Sequence, residues 1–208
     1  MTQGIDIAMD TLSAQQRYKL LCAIVIPRPI ALVTTLGRDG VTNAAPFSFF
    51  NVFSETPPLV ILGLQAKPDD TPKDTTRNIR RTGEFVVNLV DEAMAESMNV
   101  CAGDFPSDTS EIGPAGLNLS PSAKVAPARI TEAPFALECR RHTMLSFGPE
   151  RDLLVGEVLQ VHAREGLLDA GTLHVDIERY RPLGRLFADL YARQRDIITL
   201  KRQHPGKS

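Results

Sequence analysis

The sequence predicts a mainly β protein, an antiparallel barrel with a few helices, built as one domain over residues 1–208. Short apolar runs rich in β-branched residues recur along the chain, and turn residues bound each run. Turns rather than long crossover segments join most of these runs, which favours antiparallel pairing over a parallel sheet. No internal repeat or composition break divides the chain.

Six segments carry the strand pattern. The first covers 29–36, PIALVTTL, and the GRDG segment that follows it is typical of a hairpin turn, because Asp and Gly tolerate positive φ. The other five strands are predicted over 41–53, 59–64, 85–90, 136–144 and 153–163.

Helices interrupt this pattern. Thr71, Pro72 and Asp74 are residue types favoured at the cap and in the first turn, so they predict a helix that Gly83 ends. A second helix is predicted over 91–102, and residues 1–22 are weakly helical. Residues 103–134 hold many Gly, Pro and Ser, and a loop of that length in a compact domain is often functional.

Composition excludes several function classes. Lys and Arg total 23 against 25 Asp and Glu, so the net charge of −2 argues against a nucleic-acid partner. No apolar run approaches the roughly 20 residues of a membrane helix, so no membrane association is expected. The first ten residues do not resemble a signal peptide, and three cysteines without a CxxC pair suit a reducing cytoplasm. The four histidines show no metal-ligand spacing, so we expect no metal.

Two clusters of polar residues are candidates for ligand binding. Hydroxyl and amide side chains interrupt extended apolar segments at Thr34, Thr35, Ser48 and Asn51. Because a buried polar group costs free energy unless it is paired, they either face a polar ligand or bond to backbone and water.

The second cluster begins at Lys67 and continues through 73–78, KDTTRN. Cations and hydroxyls meet the start of a predicted helix here, and a helix N-terminus favours anions. The alternative is a charged surface helix without a ligand.

An ordered series of motifs identifies a family resemblance. RPIALVTT, a DG turn, NxxPFSFFN, PPL before a strand and KDTxxNIxxTGEFVVN closely resemble the flavin reductase-like, FMN-binding split-barrel family, in its flavoredoxin-type branch. The likeness continues through LECRRH, GEVLQVHAREGLLD and YRPLGRLFADLYARQRD, and it covers about 22–195. No single motif is decisive, but the series in this order is specific.

The resemblance implies a six-stranded antiparallel split β-barrel that forms a homodimer and binds FMN near the subunit interface. It implies a flavin reductase that uses NAD(P)H and passes reduced flavin to a monooxygenase or another electron acceptor. Two alternatives stay open: an FMN-containing electron carrier without nicotinamide oxidation, and a split-barrel oxidase. Because the flavin supplies the difficult chemistry, no catalytic side chain is expected.

The resemblance also assigns cofactor-binding roles by position. Ser48, Phe49 and Lys67 would serve the FMN phosphate, and Thr75 and Asn78 the phosphate and ribityl chain. The other assigned residues would line the ring or the ribityl chain: Val33, Thr34, Thr35 and Asn51.

One departure from the family pattern lies near the C-terminus. Relatives often carry two glycines after the Arg-Leu of the PLGRL motif, where this chain has Phe187 and Ala188. Glycine permits close backbone approach, whereas a phenyl ring fills space. We therefore expect Phe187 to narrow the pocket over the flavin or to stack on it.

Overall fold

The computed structural model describes residues 4–201. The helices are α1 Ala14–Ile24, α2 Asp74–Thr82 and α3 Ala95–Val100, with 3₁₀ turns at Met9–Thr11 and Glu92–Met94. The strands are β1 Arg28–Pro29, β2 Ala31–Leu36, β3 Thr42–Phe47, β4 Phe50–Glu55, β5 Pro58–Gln65, β6 Glu84–Leu89, β7 Leu119–Ser120, β8 Arg129–Ile130, β9 Phe135–Ser146, β10 Arg151–Ala163, β11 Leu183–Arg185 and β12 Tyr191–Arg193. No helix of this part of the chain is long and apolar enough to cross a membrane.

Local capping moves the helix boundaries from those predicted. The α1 helix begins only at Ala14, because Ser13 and Gln16 form a reciprocal capping box. The α2 helix begins at Asp74 with Lys73 as its cap residue, not at the predicted Thr71. The Thr71 hydroxyl instead donates to Asp69 Oδ1 at 2.6 Å within the preceding turn.

The main sheet is an antiparallel barrel of seven strands in the order β3-β2-β6-β9-β10-β5-β4. β3 and β4 stand at opposite ends of this order, yet only Ser48 and Phe49 separate them. Three Cα steps span at most about 11 Å, so the sheet curls until its two edges meet at this bend. The mainly β split-barrel prediction is confirmed, with seven strands rather than six because the bend divides the segment predicted over 41–53.

Large apolar side chains fill the barrel interior. Phe85, Leu62 and Leu154 are fully buried there. Phe85 packs against Gly156 so closely that a Cβ at Gly156 would lie 2.4 Å from its Cζ. The interior is therefore a packed core, and a ligand site must lie on its outside.

The long segment 103–134 packs as a second layer against the barrel. Ile112 and Leu117 join a buried cluster with Ile30 and Leu32. The Glu111 carboxylate accepts a hydrogen bond from the Ala44 backbone N–H at 2.8 Å, and so covers the free edge of β3. Burial raises the pKa of Glu111, although this hydrogen bond opposes the change.

A buried carboxylate fastens the same segment from the other side. Glu138 on β9 accepts hydrogen bonds from the Ala123 N–H at 2.7 Å, from the Lys124 N–H and from the His162 ring. Burial alone would raise the pKa of Glu138, but these three hydrogen bonds lower it below its usual value. The charge of Glu138 is thus compensated where it is buried.

Candidate functional site

A cavity of about 620 Å³ lies outside the barrel, beside the bend that joins β3 to β4. Its volume is in the range of small-molecule sites. Five separate parts of the chain form its walls: α1, the segment from β1 to the start of β2, the end of β3, the end of α3 and the β11–β12 hairpin. The lining residues include Tyr18, Lys19, Cys22, Arg28, Ile30, Pro46, Phe47, Ser48, Met98, Arg185, Phe187, Asp189 and Tyr191.

Arg28 holds these walls together. Its Nη1 donates to the carbonyls of Cys22 at 2.6 Å and Val25 at 2.9 Å, at the end of α1. Its Nη2 donates to the Leu186 carbonyl at 2.5 Å, and its Nε to Ser48 Oγ at 3.3 Å. One buried guanidinium therefore fixes α1, the bend and the hairpin relative to one another.

The β11–β12 hairpin positions a second guanidinium at the cavity. Arg185 lies 4.5 Å over the ring of Tyr191 and donates to the Ala188 carbonyl. Ala188 has φ of +48°, in the left-handed region that favours glycine. Phe187, 42 % exposed, precedes it in the same turn and lines the cavity.

The cavity is aromatic and cationic. Its aromatic walls come from Tyr18, Phe47, Phe187 and Tyr191. Lys19, Arg28 and Arg185 bring three positive charges, against one carboxylate at Asp189. Burial, supported by the neighbouring Cys22, raises the pKa of the Tyr18 hydroxyl, so this group stays neutral near pH 7.

Two of the predicted cofactor residues lie at the bend. Ser48 lines the cavity and accepts from Arg28. The ring of Phe49 lies 6.1 Å from that of Tyr18, with the guanidinium of Arg151 at 5.5 Å.

Three further predicted residues come together at α2. Asn78 Nδ2 donates to Thr35 Oγ1 at 3.1 Å, and Asn43 Nδ2 donates to Thr75 Oγ1 at 2.9 Å. Lys73 gives α2 no side-chain cap. Within residues 4–201, the N–H groups of the first turn, 74–76, have no protein acceptor. Lys67 is exposed in the nearby turn, where its N–H donates to the Thr71 carbonyl.

The remaining predicted residues are engaged elsewhere. The Val33 side chain is part of the barrel core. The Thr34 hydroxyl donates to the Ala128 carbonyl at 2.6 Å, and Asn51 is exposed on β4, where it accepts from the Val52 N–H. Their side chains are thus not brought to the cavity.

The two groups of residues stand at the two ends of one strand. Asn43 contacts α2 near the start of β3, and Ser48 follows its last residue, Phe47. Four residue steps separate Asn43 from Phe47, which is about 13 Å in a strand. An uncapped helix start and an aromatic, cationic cavity are therefore joined by β3.

The sequence interpretation missed three polar groups of this site. Arg28 and Asn43 lie inside the motifs that carried the resemblance, but a lone polar residue beside a strand has no periodic signal. Tyr18 lies on a helix whose pattern is weak. The one available clue to Arg28 was a charged residue placed directly before a run of apolar ones.

The described residues contain no group of three or more His, Cys, Asp or Glu that could hold a metal ion. Of the four histidines, which showed no metal-ligand spacing in the sequence, His204 lies outside the described residues.

Comparisons with known proteins agree with this architecture. The flavin reductase like domain family matches residues 24–184. An uncharacterized protein of Halalkalibacterium halodurans is 40 % identical over 198 residues, which cover 93 % of this chain and 94 % of that one.

Two solved structures are similar over nearly their whole length. The 2-nitrobenzoate 2-nitroreductase of Pseudomonas fluorescens is 39 % identical with a TM-score of 0.90, covering 98 % of this chain and 99 % of that one. Component B of nitrilotriacetate monooxygenase from Bacillus cereus is 33 % identical with a TM-score of 0.91, covering 96 % and 100 %. The chain therefore belongs to the flavin reductase-like family.

Proposed function

We propose that this protein binds FMN and reduces it with NAD(P)H, as a cytoplasmic flavin reductase. The observation that carries the proposal is the pair of features at the two ends of β3: the uncapped start of α2, and the bend with Ser48 and the exposed ring of Phe49. FMN combines an anionic phosphate, a polar ribityl chain and a flat ring, and the two ends of β3 offer groups suited to the phosphate and to the ring. Membership of the flavin reductase-like family supports a flavin cofactor, and three buried free cysteines suit a reducing compartment.

The phosphate is assigned to the start of α2. The unpaired N–H groups of its first turn and the helix dipole both favour an anion. Thr75 Oγ1 accepts from Asn43, so its proton is free to donate. Lys67 contributes positive charge, and Asn78 is held in place by Thr35.

The ring is assigned to the bend after β3. This changes the expected role of Ser48 and Phe49 from the phosphate to the ring, because about 13 Å of β3 separates the bend from the start of α2. The exposed ring of Phe49 and the hydroxyl of Ser48 would contact it, and Asn51 follows directly on β4. Val33 and Thr34 would contribute through their backbone. On β2 they pair with Ala45 and Ala44, and so hold β3 in place beside the flavin.

Bound flavin would supply the redox chemistry, accepting a hydride from the nicotinamide. The chain's own residues then have three tasks: to bind, to orient the two rings and to exclude water. The rigid bend, fixed by Arg28, suits the orienting task. No acid–base pair is required.

A second copy of this chain is the proposed partner at the bend. β4 is an edge strand whose Val52 and Phe53 are 72 % and 64 % exposed, and Ile24 and Val25 at the end of α1 are also exposed. An edge strand with apolar side chains favours pairing with another chain. We expect a homodimer by sedimentation, and a monomer for Phe53→Glu; a wild-type monomer would contradict this.

The monooxygenase component among the relatives supports a monooxygenase as acceptor of the reduced flavin. The decisive experiment follows NADH and NADPH oxidation by the purified protein with and without added FMN. Oxidation that rises with added FMN is expected. A protein that retains FMN but oxidises neither nucleotide would contradict the reductase and support an electron carrier.

A further inference from the structure

The cavity beside Ser48 adjoins the proposed flavin site, and other residues form most of its walls. Of the nine residues assigned to FMN, Ser48 alone contributes to its walls. The phosphate end of the proposed flavin site lies about 13 Å away along β3. A volume of about 620 Å³ is therefore left for a second molecule next to the proposed position of the ring.

The walls of the cavity favour a ligand with a flat, apolar ring. The rings of Tyr18, Phe47, Phe187 and Tyr191 border the space, together with Ile30 and Met98. Aromatic side chains stack or pack edge-to-face on planar rings, with a contribution beyond area burial. A saturated or strongly polar ligand would leave these contacts unused.

The charges select an anion. Arg28 is buried, and each of its four hydrogen bonds ends on a neutral carbonyl or hydroxyl oxygen. Neither Arg28 nor Arg185 forms an ion pair with a carboxylate of residues 4–201. Positive charge removed from water without a counter-charge attracts an anion more strongly than an exposed cation does.

Arg185 is the guanidinium placed to contact that anion. Stacking on Tyr191 and the bond to the Ala188 carbonyl fix its plane. One donor nitrogen is used there, and the others remain available to a ligand in the fork geometry that suits a carboxylate.

We propose that this cavity binds a planar aromatic carboxylate, with the ring between the aromatic walls and the carboxylate on Arg185. The inference deepens the proposed function, because it places this ligand beside the flavin. It also gives Phe187 the role of a wall for the aromatic ligand.

The test uses benzoate and its neutral analogue benzamide as probes, titrated calorimetrically into the purified FMN-loaded protein. We expect benzoate to bind at least tenfold more tightly than benzamide. Arg185→Gln should weaken benzoate about tenfold and leave benzamide unchanged. Arg38→Gln, in the exposed turn after β2, is the matched control and should change neither. Phe187→Ala should weaken both probes.

Equal binding of benzoate and benzamide, or the same benzoate affinity in the Arg185 and Arg38 variants, would overturn the inference. So would release of FMN by benzoate, since the cavity would then be the flavin site. Arg185→Lys keeps the charge and should retain part of the affinity, which distinguishes lost contact from misfolding. The FMN titration is separate: FMN binding without benzoate binding rejects this inference alone. Arg185-dependent benzoate binding to a chain that binds no FMN rejects the proposed function alone.

Discussion

The interior of the barrel and the cavity outside it use aromatic residues in opposite ways. Phe85 is fully buried, and its ring touches Gly156 without room for a methyl group. Phe187 is 42 % exposed in a turn held by a few hydrogen bonds, and it faces open space. The first ring stabilises the fold, and the second is available to a ligand.

The barrel and the cavity also differ in how their buried charges are paired. The Glu138 carboxylate in the barrel wall is matched by His162 and two backbone N–H groups. Arg28 beside the cavity is matched only by neutral oxygens. The barrel satisfies its own charges, whereas the cavity keeps positive charge for an incoming anion.

The largest expected difference in the free energy of unfolding is between variants of Phe85 and of Phe187. Phe85→Ala should lower the free energy of unfolding by about 3–5 kcal/mol, because it leaves a hole in a packed core. Phe187→Ala should change it by less than about 0.5 kcal/mol. Urea denaturation of both variants measures this, and equal losses would remove the distinction between the two regions.

Gly156 provides a finer probe of barrel packing. Gly156→Ala should cost about 1–3 kcal/mol, since the new methyl group overlaps the Phe85 ring. Phe85→Leu in the same chain should recover part of the loss. Gly113→Ala is the control, because no atom lies within 4 Å of its Cβ position. A similar loss at both glycines would show that overlap with Phe85 is not the cause.

Lowering the pH should remove the stability that the charged Glu138 carboxylate gives to the barrel. The pKa of Glu138 is lowered in the folded chain, so its contribution to stability is present above its unfolded pKa of about 4.3 and is lost as the pH falls through the folded value. Glu138→Gln should therefore be less stable than wild type at pH 7, and the gap should close toward pH 3. Urea midpoints across this range test the sign; a gap that widens in acid contradicts it.

The smallest expected change in the free energy of unfolding comes from the turn of the β11–β12 hairpin. Ala188 has a positive φ, which costs an L-residue more than glycine. Ala188→Gly should raise the free energy of unfolding by about 0.5–1 kcal/mol. Thermal unfolding measures this, and a lower midpoint would mean that the methyl group makes contacts that outweigh the strain.

The sequence predicts most of the barrel, because long β-branched runs between turns have few other structures available. It does not reveal the division of 41–53 at Ser48, since the segment stays extended and apolar on both sides of the bend. The β11–β12 hairpin also escapes prediction, because strands of three residues are too short to show a period.

The candidate site was predictable only in part. Ser48 does line the cavity, and Thr35, Thr75 and Asn78 do meet at α2. The contribution of Arg28 depends on three segments, the end of α1, the bend at Ser48 and the β11–β12 hairpin, which meet only in the folded chain. The cofactor roles of all nine residues, and the extent of a single domain over 1–208, stay predictions.

An FMN titration of a double variant tests the central claim most directly. Ser48→Ala with Lys67→Ala removes one group from each end of the proposed flavin site. Ser107→Ala with Lys124→Ala is the control, since both residues are exposed on segment 103–134. Quenching of flavin fluorescence should give an FMN Kd at least about tenfold higher for the first pair, a loss of about 1.4 kcal/mol, and an unchanged Kd for the second. An FMN Kd that is the same in wild type and both double variants would contradict the account.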